Sequence, residues 1–182
     1  MNNRSRDLSA STGKPGPHVA ETMKNFDKVY RDHRKKLFNY LMRMSGDYAL
    51  SQDIMQESFT RLYQRYRHAA PQVSLVYTIA RNALFDHFRK MKPAVELDET
   101  GVGAPLDGER HIMVRDRYRR TLAAMEQLAP DERDVLSLVV STDFSYRKIA
   151  DITRLSEGNV KVKVHRARMH LKQLLQEDDH EG

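Results

Sequence analysis

The stretch "SEGNVKVKVHRARMHLKQLL", residues 156–175, decides the fold of its half of the chain, because apolar and basic side chains alternate in it at helical spacing. At about 100° per residue, Val164, Ala167 and Leu171 fall within about 40° of Val160 and form one narrow apolar stripe. The remaining surface is mostly basic and carries Val162, His165, Arg166 and Met169, flanked by Lys161 and Arg168. The pattern predicts a helix that is fixed to its own domain by the stripe and leaves a cationic side exposed.

The residues just before this stretch predict a second, shorter helix and a tight turn. Ser145 can cap a helix that runs through Ile152, with Ile149 and Ile152 facing inward. Residues 153–155 then form a three-residue turn, and Ser156 can cap the following helix through a backbone N–H. Two short helices joined by such a turn, with a basic second helix, predict a helix-turn-helix.

A helix-turn-helix with a basic second helix is typical of proteins that read duplex DNA. The cationic side fits a major groove, where Lys and Arg contact guanine edges or phosphates and a valine meets a thymine methyl group. The alternative is an ordinary solvated face, which is the usual fate of charged helix surfaces. The capped partner helix and the turn favour DNA binding.

Composition limits the class of protein. The 182 residues contain 31 Lys and Arg against 25 Asp and Glu, a net charge of +6, and no Cys. Disulfides and thiolate metal sites are therefore impossible, and His165 and His170 point about 140° apart, a poor metal pair. No Gly-rich phosphate loop occurs either, so we expect no enzyme, no metal and no cofactor. The sequence shows no signal peptide and no apolar run that is long enough to span a membrane. We therefore expect a cytoplasmic protein without membrane insertion.

Periodicity and charge divide the chain into two helical modules. Residues 1–20 lack periodicity and predict a disordered tail; 21–92 have helical spacing and 112–176 hold the helix-turn-helix domain. Residues 93–111, with two prolines and three glycines in "KPAVELDETGVGAPLDGER", predict a flexible linker, and 177–182 a second tail. The linker has 5 acidic residues against 1 basic, whereas residues 24–92 have 14 basic against 6 acidic. The expected fold is all-α: two small helical domains joined by an acidic linker.

The second half of the chain resembles a known family. The stretch "LAPDERDVLSLVVSTDFSYRKIADITRLSEGNVKVKVHRARMHL" is similar to the promoter-binding C-terminal domain of bacterial RNA polymerase sigma factors of the extracytoplasmic-function type. The resemblance implies contacts with the minus-thirty-five promoter element, and with its phosphates, at Ser156, Asn159, Lys161, Val162, His165, Arg166 and Arg168. The chain departs from the family at Arg154, usually Gly, at Asn159, usually Thr, and at Val162 and Lys163, usually Ser-Arg.

The segment "GDYALSQDIMQESFTRLYQRY" has a polar face that spacing alone would class as solvated. Asp53, Gln56 and Glu57 lie on it, within about 60° of Asp53. However, "QDIMQESF" resembles the sigma-factor motif that docks on the clamp helices of the largest polymerase subunit. The resemblance implies that these three residues bind core RNA polymerase, and acidic side chains are indeed poor partners for DNA phosphates.

The segment "LVYTIARNALFDHFRK" resembles the part of a sigma factor that reads and melts the minus-ten element. An extruded base needs amide or carboxylate groups for its edge and an apolar or aromatic wall. The resemblance implies base contacts for Asn82 and Asp86, with phosphate contacts for Arg81, Arg89 and Lys90. The aromatic side chains of this segment would either stack on bases or, as is more common at helical spacing, belong to the core: Tyr77, Phe85 and Phe88.

Together these features predict a transcription initiation factor that takes core RNA polymerase to promoter DNA and opens the minus-ten region. The alternative is a stand-alone helix-turn-helix regulator that binds duplex DNA without polymerase. The resemblance also suggests an anti-sigma factor as a further partner. The acidic linker either imitates the charge of nascent RNA inside the polymerase or is a plain solvated spacer.

Overall fold

A computed structural model describes residues 17–66, 72–91 and 109–178 of the chain. Those residues form seven α-helices and no strand, as the periodicity predicts. The helices are α1 (Pro17–Ser45), α2 (Tyr48–Tyr66), α3 (Val73–Met91), α4 (Glu109–Glu126), α5 (Pro130–Ser141), α6 (Tyr146–Thr153) and α7 (Glu157–Asp178). We call α1–α3 the N-terminal module and α4–α7 the C-terminal module.

The N-terminal module is a three-helix unit in which α2 packs on both α1 and α3. Its interior holds apolar residues that recur at helical spacing, including Leu37, Leu41 and Leu62, all fully buried. Gly46 makes the tight turn between α1 and α2 with a φ of +69°, a conformation that glycine adopts without a steric penalty. The short turn fixes α2 beside α1 and leaves one side of α2 exposed.

The C-terminal module contains the predicted helix-turn-helix. The Ser145 hydroxyl accepts a hydrogen bond from the Lys148 N–H at 3.3 Å, and the Ser156 hydroxyl accepts one from the Asn159 N–H at 3.2 Å. Between these two caps, Arg154 ends α6 in the left-handed region with φ of 61°. Both caps are therefore where the sequence predicts them, and the turn begins one residue later than expected, because Thr153 still belongs to α6.

The two modules also pack against each other, which the sequence patterns did not indicate. Helix α1 contacts α5, and α3 contacts α6. One continuous buried cluster includes Tyr40 and Tyr77 from the N-terminal module and Val135 and Ile149 from the C-terminal module. A second, smaller cluster joins Met125, Leu128, Leu136 and Ala167 within the C-terminal module.

Element boundaries also differ from the sequence expectations at three other places. Helix α1 begins at Pro17, inside the stretch 1–20 that composition assigns to a tail, and proline is well suited to the first turn of a helix. Helix α4 begins at Glu109, inside the expected linker 93–111, and α7 continues to Asp178, inside the expected second tail. Most of the tail and the linker acids Glu96, Asp98 and Glu99 lie outside the described residues.

Candidate nucleic-acid interface

Helix α7 has the two-sided character that its sequence predicts. Val160, Val164 and Ala167 are buried, and Leu171 is partly buried. The predicted DNA-reading residues are exposed: Ser156, Asn159, Lys161, Val162, His165, Arg166 and Arg168. Because the buried stripe holds α7 on α5 and α6, the exposed side is presented as a rigid surface.

Two lysine side chains of α7 have acidic partners among the described residues, as does His170, which lies 3.0 Å from Glu132, whereas Arg166 has none there. Lys161 Nζ lies 2.9 Å from a carboxylate oxygen of Glu157, one turn earlier on the same helix. Lys163 pairs with Asp131 of α5, and this hydrogen bond lowers the pKa of Asp131. Among the residues that the structure describes, no acidic partner lies against Arg166. Lys163 thus links α7 to α5 within the module, while Arg166 remains available for an external anion.

The predicted polymerase-docking residues lie together on the open side of α2. Asp53, Gln56 and Glu57 are all exposed, and Glu57 is paired with Arg61 at 2.6 Å, one turn further on. Beside them runs a groove of about 510 Å³ between α1 and α2. Its lining is largely aromatic and includes Phe26, Asp27, Tyr30, Gln56, Phe59, Thr60 and Tyr63. The docking face therefore combines carboxylates with an accessible aromatic surface.

The predicted minus-ten residues divide into an exposed group and one partly buried member. Asn82, Asp86, Arg89 and Lys90 are exposed on α3, with Asp86 and Arg89 paired to each other. Asn82 is therefore not a buried structural amide. It lines a groove of about 440 Å³ between α2 and α3, together with Arg61, Gln64, Arg65 and Ile79.

Arg81 is the partly buried member of the minus-ten set. Its Nε atom lies 2.6 Å from a carboxylate oxygen of Asp134 in α5, and its guanidinium lies 4.5 Å from the centre of the Phe85 ring. The Tyr40 hydroxyl donates a hydrogen bond of 2.8 Å to the same carboxylate. In this arrangement Arg81 serves a contact between the modules.

Burial dominates the electrostatics of this contact. Asp134 is 1% exposed, and its burial raises the pKa of the carboxyl group although Arg81 and Tyr40 act in the opposite direction. Burial and the neighbouring Asp134 likewise raise the pKa of Tyr40. A carboxylate in such surroundings requires its two partners, because an unpaired buried charge is strongly destabilising.

The aromatic residues of α3 have different environments. Tyr77 is fully buried, so for this residue the core interpretation is confirmed. Phe85 and Phe88 are partly buried and line a cavity of about 480 Å³ with Met44, Arg89, Pro130 and Arg133. Their faces are therefore partly accessible, and stacking on a base stays open for these two rings.

Sequence reasoning missed Asp134, Tyr40 and the loop after α5 as functional candidates. One signal was available: Asp134 lies four residues before Leu138, and hence on the same helical face as a core position. A charged residue on an apolar face indicates a buried partner. Nothing in the local pattern identifies Arg81, 53 residues away, as that partner.

No group of three or more His, Asp or Glu side chains that could hold a metal ion occurs in the described ranges. Within the same ranges, no helix is both long and apolar enough to cross a membrane.

Two family models match this chain in the order expected from its motifs. "Sigma-70 region 2" matches residues 29–93, and "Sigma-70, region 4" matches residues 118–171. Together they cover more than half of the chain and fall on the two modules. The chain therefore belongs to the sigma-70 family, whose members direct RNA polymerase to promoters.

Similar curated proteins place the chain in the extracytoplasmic-function (ECF) group of that family. It is 28% identical over 153 residues to the ECF sigma factor SigM of Bacillus subtilis (strain 168), covering 81% of this chain and 93% of SigM. It is 27% identical to the sigma factor CarQ of Myxococcus xanthus, covering 84% and 90%. The ECF sigma factor SigL of Mycobacterium tuberculosis is 28% identical, with 82% and 88% covered.

Two solved structures share the fold. The sigma factor RpoE, crystallised with the anti-sigma factor NepR from Bartonella quintana, has a TM-score of 0.68 at 20% identity, covering 84% of this chain and 98% of that one. CnrH, in complex with the cytosolic domain of CnrY, has a TM-score of 0.66 at 18% identity, covering 88% and 94%. The all-α fold with two helical units is thereby confirmed. The family models and the similar proteins show that the chain is a transcription initiation factor and not an enzyme.

Proposed function

We propose that the chain acts in the cytoplasm and uses three surfaces in transcription initiation, one for core polymerase and two for promoter DNA. The exposed face of α2, with Asp53, Gln56 and Glu57, docks on the clamp helices of core RNA polymerase. The cationic side of α7 reads the minus-thirty-five element, and the exposed side of α3 reads and opens the minus-ten element.

One observation carries this proposal: α7 buries its apolar stripe within the C-terminal module and leaves a predominantly basic side exposed, beginning at a capped N-terminus. This is the geometry in which a recognition helix enters a major groove, with residues near its N-terminus against base edges. Arg166 fits either a guanine edge or a phosphate, and Val162 fits a thymine methyl group.

The exposed groove beside Asn82 supports the minus-ten assignment. An amide offers both a donor and an acceptor, so Asn82 suits the edge of an extruded base. The neighbouring Arg61 and Arg65 offer positive charge for the adjoining backbone phosphates.

We further propose an anti-sigma factor as a partner. The similarity to the RpoE and CnrH structures supports this, since both were solved with a bound protein, NepR in one and the cytosolic domain of CnrY in the other. Purification of the tagged chain from its own cells tests the idea. A co-purifying protein that suppresses transcription in a reconstituted system is expected, and full activity of the chain as isolated from uninduced cells would contradict it.

Co-purification with core RNA polymerase tests the function as a whole. The tagged chain should retain core polymerase, and the reconstituted complex should bind duplex promoters more tightly than the chain alone. Tight sequence-specific binding by the chain alone, unchanged by polymerase, would instead favour the stand-alone regulator.

A further inference from the structure

Two adjacent acids in the first turn of α5, Asp131 and Glu132, each contact a side chain of α7. Lys163 Nζ pairs with the Asp131 carboxylate. His170 Nδ1 lies 3.0 Å from a carboxylate oxygen of Glu132. We call these two interactions the α5–α7 polar contacts. All four residues belong to the C-terminal module, so these contacts act within the helix-turn-helix domain itself.

Both polar contacts lie along one flank of α7. Lys163 and His170 are seven residues apart, and at about 100° per residue they differ by only about 20° in direction. Arg166 lies three residues after Lys163 and four before His170, so one contact lies within about a turn on each side of it. On the opposite flank, Lys161 pairs with Glu157 of α7 itself, and this pair does not hold α7 on another helix.

The apolar stripe of α7 fixes the rotation of the helix less sharply than these contacts do. Its buried members Val160, Val164 and Ala167 are small, and burial of apolar surface is non-directional. A charge-assisted hydrogen bond, in contrast, depends on both distance and direction. Rotation of α7 by about 15° moves a side-chain tip that lies about 6 Å from the axis by roughly 1.5 Å, which is enough to break a hydrogen bond to a base edge.

Burial makes the α5–α7 polar contacts more persistent than the ion pair on the opposite flank. Glu132 is only 7% exposed, and a buried carboxylate without a partner is costly, so its contact with His170 is not readily exchanged for water. The Lys163 side chain is 22% exposed. Lys161 and Glu157 are both about half-exposed and can separate at little cost. Lys163 therefore serves to hold α7, whereas Lys161 remains free to change partner.

We propose that Asp131 and Glu132 are positioning residues for promoter reading. Through Lys163 and His170 they set the rotation of α7 about its axis, and thereby the base pair that Arg166 contacts. This inference rests on the proposed reading of the upstream element by α7, but the effect on the helix itself can be tested without DNA.

The rotation of α7 can be measured on the full-length chain, which contains no cysteine. Val140→Cys on α5 and Met169→Cys on α7 would carry spin labels at positions that are 57% and 47% exposed. Pulsed electron paramagnetic resonance should give a narrow distance distribution in the parent. The distribution should broaden in Asp131→Ala/His170→Ala, which removes one partner from each polar contact. Equal widths would overturn the proposal.

Circular dichroism would establish that each variant is folded. Lys163→Met breaks only the contact with Asp131 and leaves Glu132 paired, so it provides a milder change if the double variant is destabilised. It should broaden the distribution in the same direction and to a smaller extent. Parent-like widths in a folded Lys163→Met would mean that this contact does not set the rotation.

Base preference then tests the positioning of Arg166. Holoenzymes formed with each variant would be titrated with duplexes that carry every single base-pair substitution in the upstream element. The parent should discriminate about fivefold or more at the base pair where Arg166→Ala relaxes the preference. Asp131→Ala/His170→Ala should lose most of that discrimination at the same base pair. Asp131→Glu, which keeps the charge that holds Lys163, should retain it.

Glu157→Gln is the matched control, because it removes an acid whose partner lies on α7 itself. It should retain the parent's discrimination at the Arg166 base pair. A loss of stability would weaken binding to all duplexes alike, whereas a loss of positioning is confined to one base pair. Parent-like discrimination in the double variant would overturn the positioning role. An unchanged preference in Arg166→Ala would contradict the reading role of Arg166 as well, while the spin-label distances would still decide whether the polar contacts hold α7.

Discussion

Lys161 and Glu157 form an ion pair of 2.9 Å on the exposed side of α7, in the part of the helix that is proposed to enter the major groove. A solvent-exposed pair with i,i+4 spacing contributes only about 0.3–0.5 kcal/mol. Lys161 can therefore exchange Glu157 for a phosphate or a guanine edge at little cost. Arg166 needs no such exchange, because no acidic side chain in the described part of the chain holds it.

This difference leads to a prediction about the recognition helix. Arg166→Ala and Lys161→Ala should each weaken binding of the holoenzyme to its upstream element. A bidentate base contact would cost about 1–3 kcal/mol and relax the preference at one base pair. A phosphate contact would weaken all sequences alike and reduce the salt dependence. Fluorescence anisotropy on duplexes selected from a random library, at several salt concentrations, separates the two.

Lys172→Ala provides the matched control for those variants. Lys172 is an exposed cation of α7 that lies further along the helix, outside the candidate set. It should bind the selected duplexes like the parent. Undiminished binding by the Lys161→Ala/Arg166→Ala double variant would rule out α7 as the reading helix.

A second prediction concerns docking. Glu57 is exposed and shares its face with Asp53 and Gln56, so Glu57→Lys reverses a charge without disturbing the core. We expect weaker association with core polymerase in a titration followed by gel filtration. Asp32→Lys, the same change at an exposed acid of α1, should associate normally. Parent-like association of Glu57→Lys would mean that this face is not the docking surface.

A third prediction concerns strand opening. Asn82→Ala removes an exposed amide from the groove between α2 and α3, so folding should be unaffected. Closed complexes should form as in the parent, whereas open complexes should be depleted, because extruding a base costs a few kcal/mol that the amide helps to recover. Permanganate footprinting of unpaired thymines measures the difference.

A template with a pre-melted bubble supplies the control for Asn82→Ala. Opening is already complete on such a template, so part of the lost transcription should return. If the variant opens a fully paired promoter as well as the parent does, Asn82 has no part in melting.

A fourth prediction uses the strained turn of the helix-turn-helix. Arg154 has a φ of 61°, a conformation that a non-glycine residue adopts at a cost of about 1–2 kcal/mol. Arg154→Gly should therefore raise the free energy of unfolding by about 1 kcal/mol, partly offset by the entropy of glycine. Arg147→Gly, at an exposed position inside α6, should lower it by about 1 kcal/mol. Urea titration compares the two, and equal losses would show that the turn is unstrained.

Local sequence patterns predicted the helices, the two capping serines and the buried stripe of α7. These features depend on residues three or four positions apart, and the same helix positions that spacing identified are buried in the structure. The exposure of Glu57 also followed from spacing alone.

The contacts between the modules could not be predicted from local sequence patterns. The Arg81–Asp134 pair joins residues 53 positions apart, and neither neighbourhood contains a pattern that identifies the other. The start of α1 at Pro17 was missed for a related reason. The first turns of this helix carry little apolar periodicity, so composition alone indicated a tail. The environment of Arg81 could be learned only from the folded chain.

Transcription in vitro from fragmented genomic DNA tests the central claim most directly. Purified core polymerase would be supplied with the chain or with the Glu57→Lys variant, and the 5′ ends of the transcripts would be mapped. The account predicts start sites that appear only with the parent chain and share two sequence elements, one near minus ten and one near minus thirty-five. The same start sites without the chain, or none with it, would contradict the account.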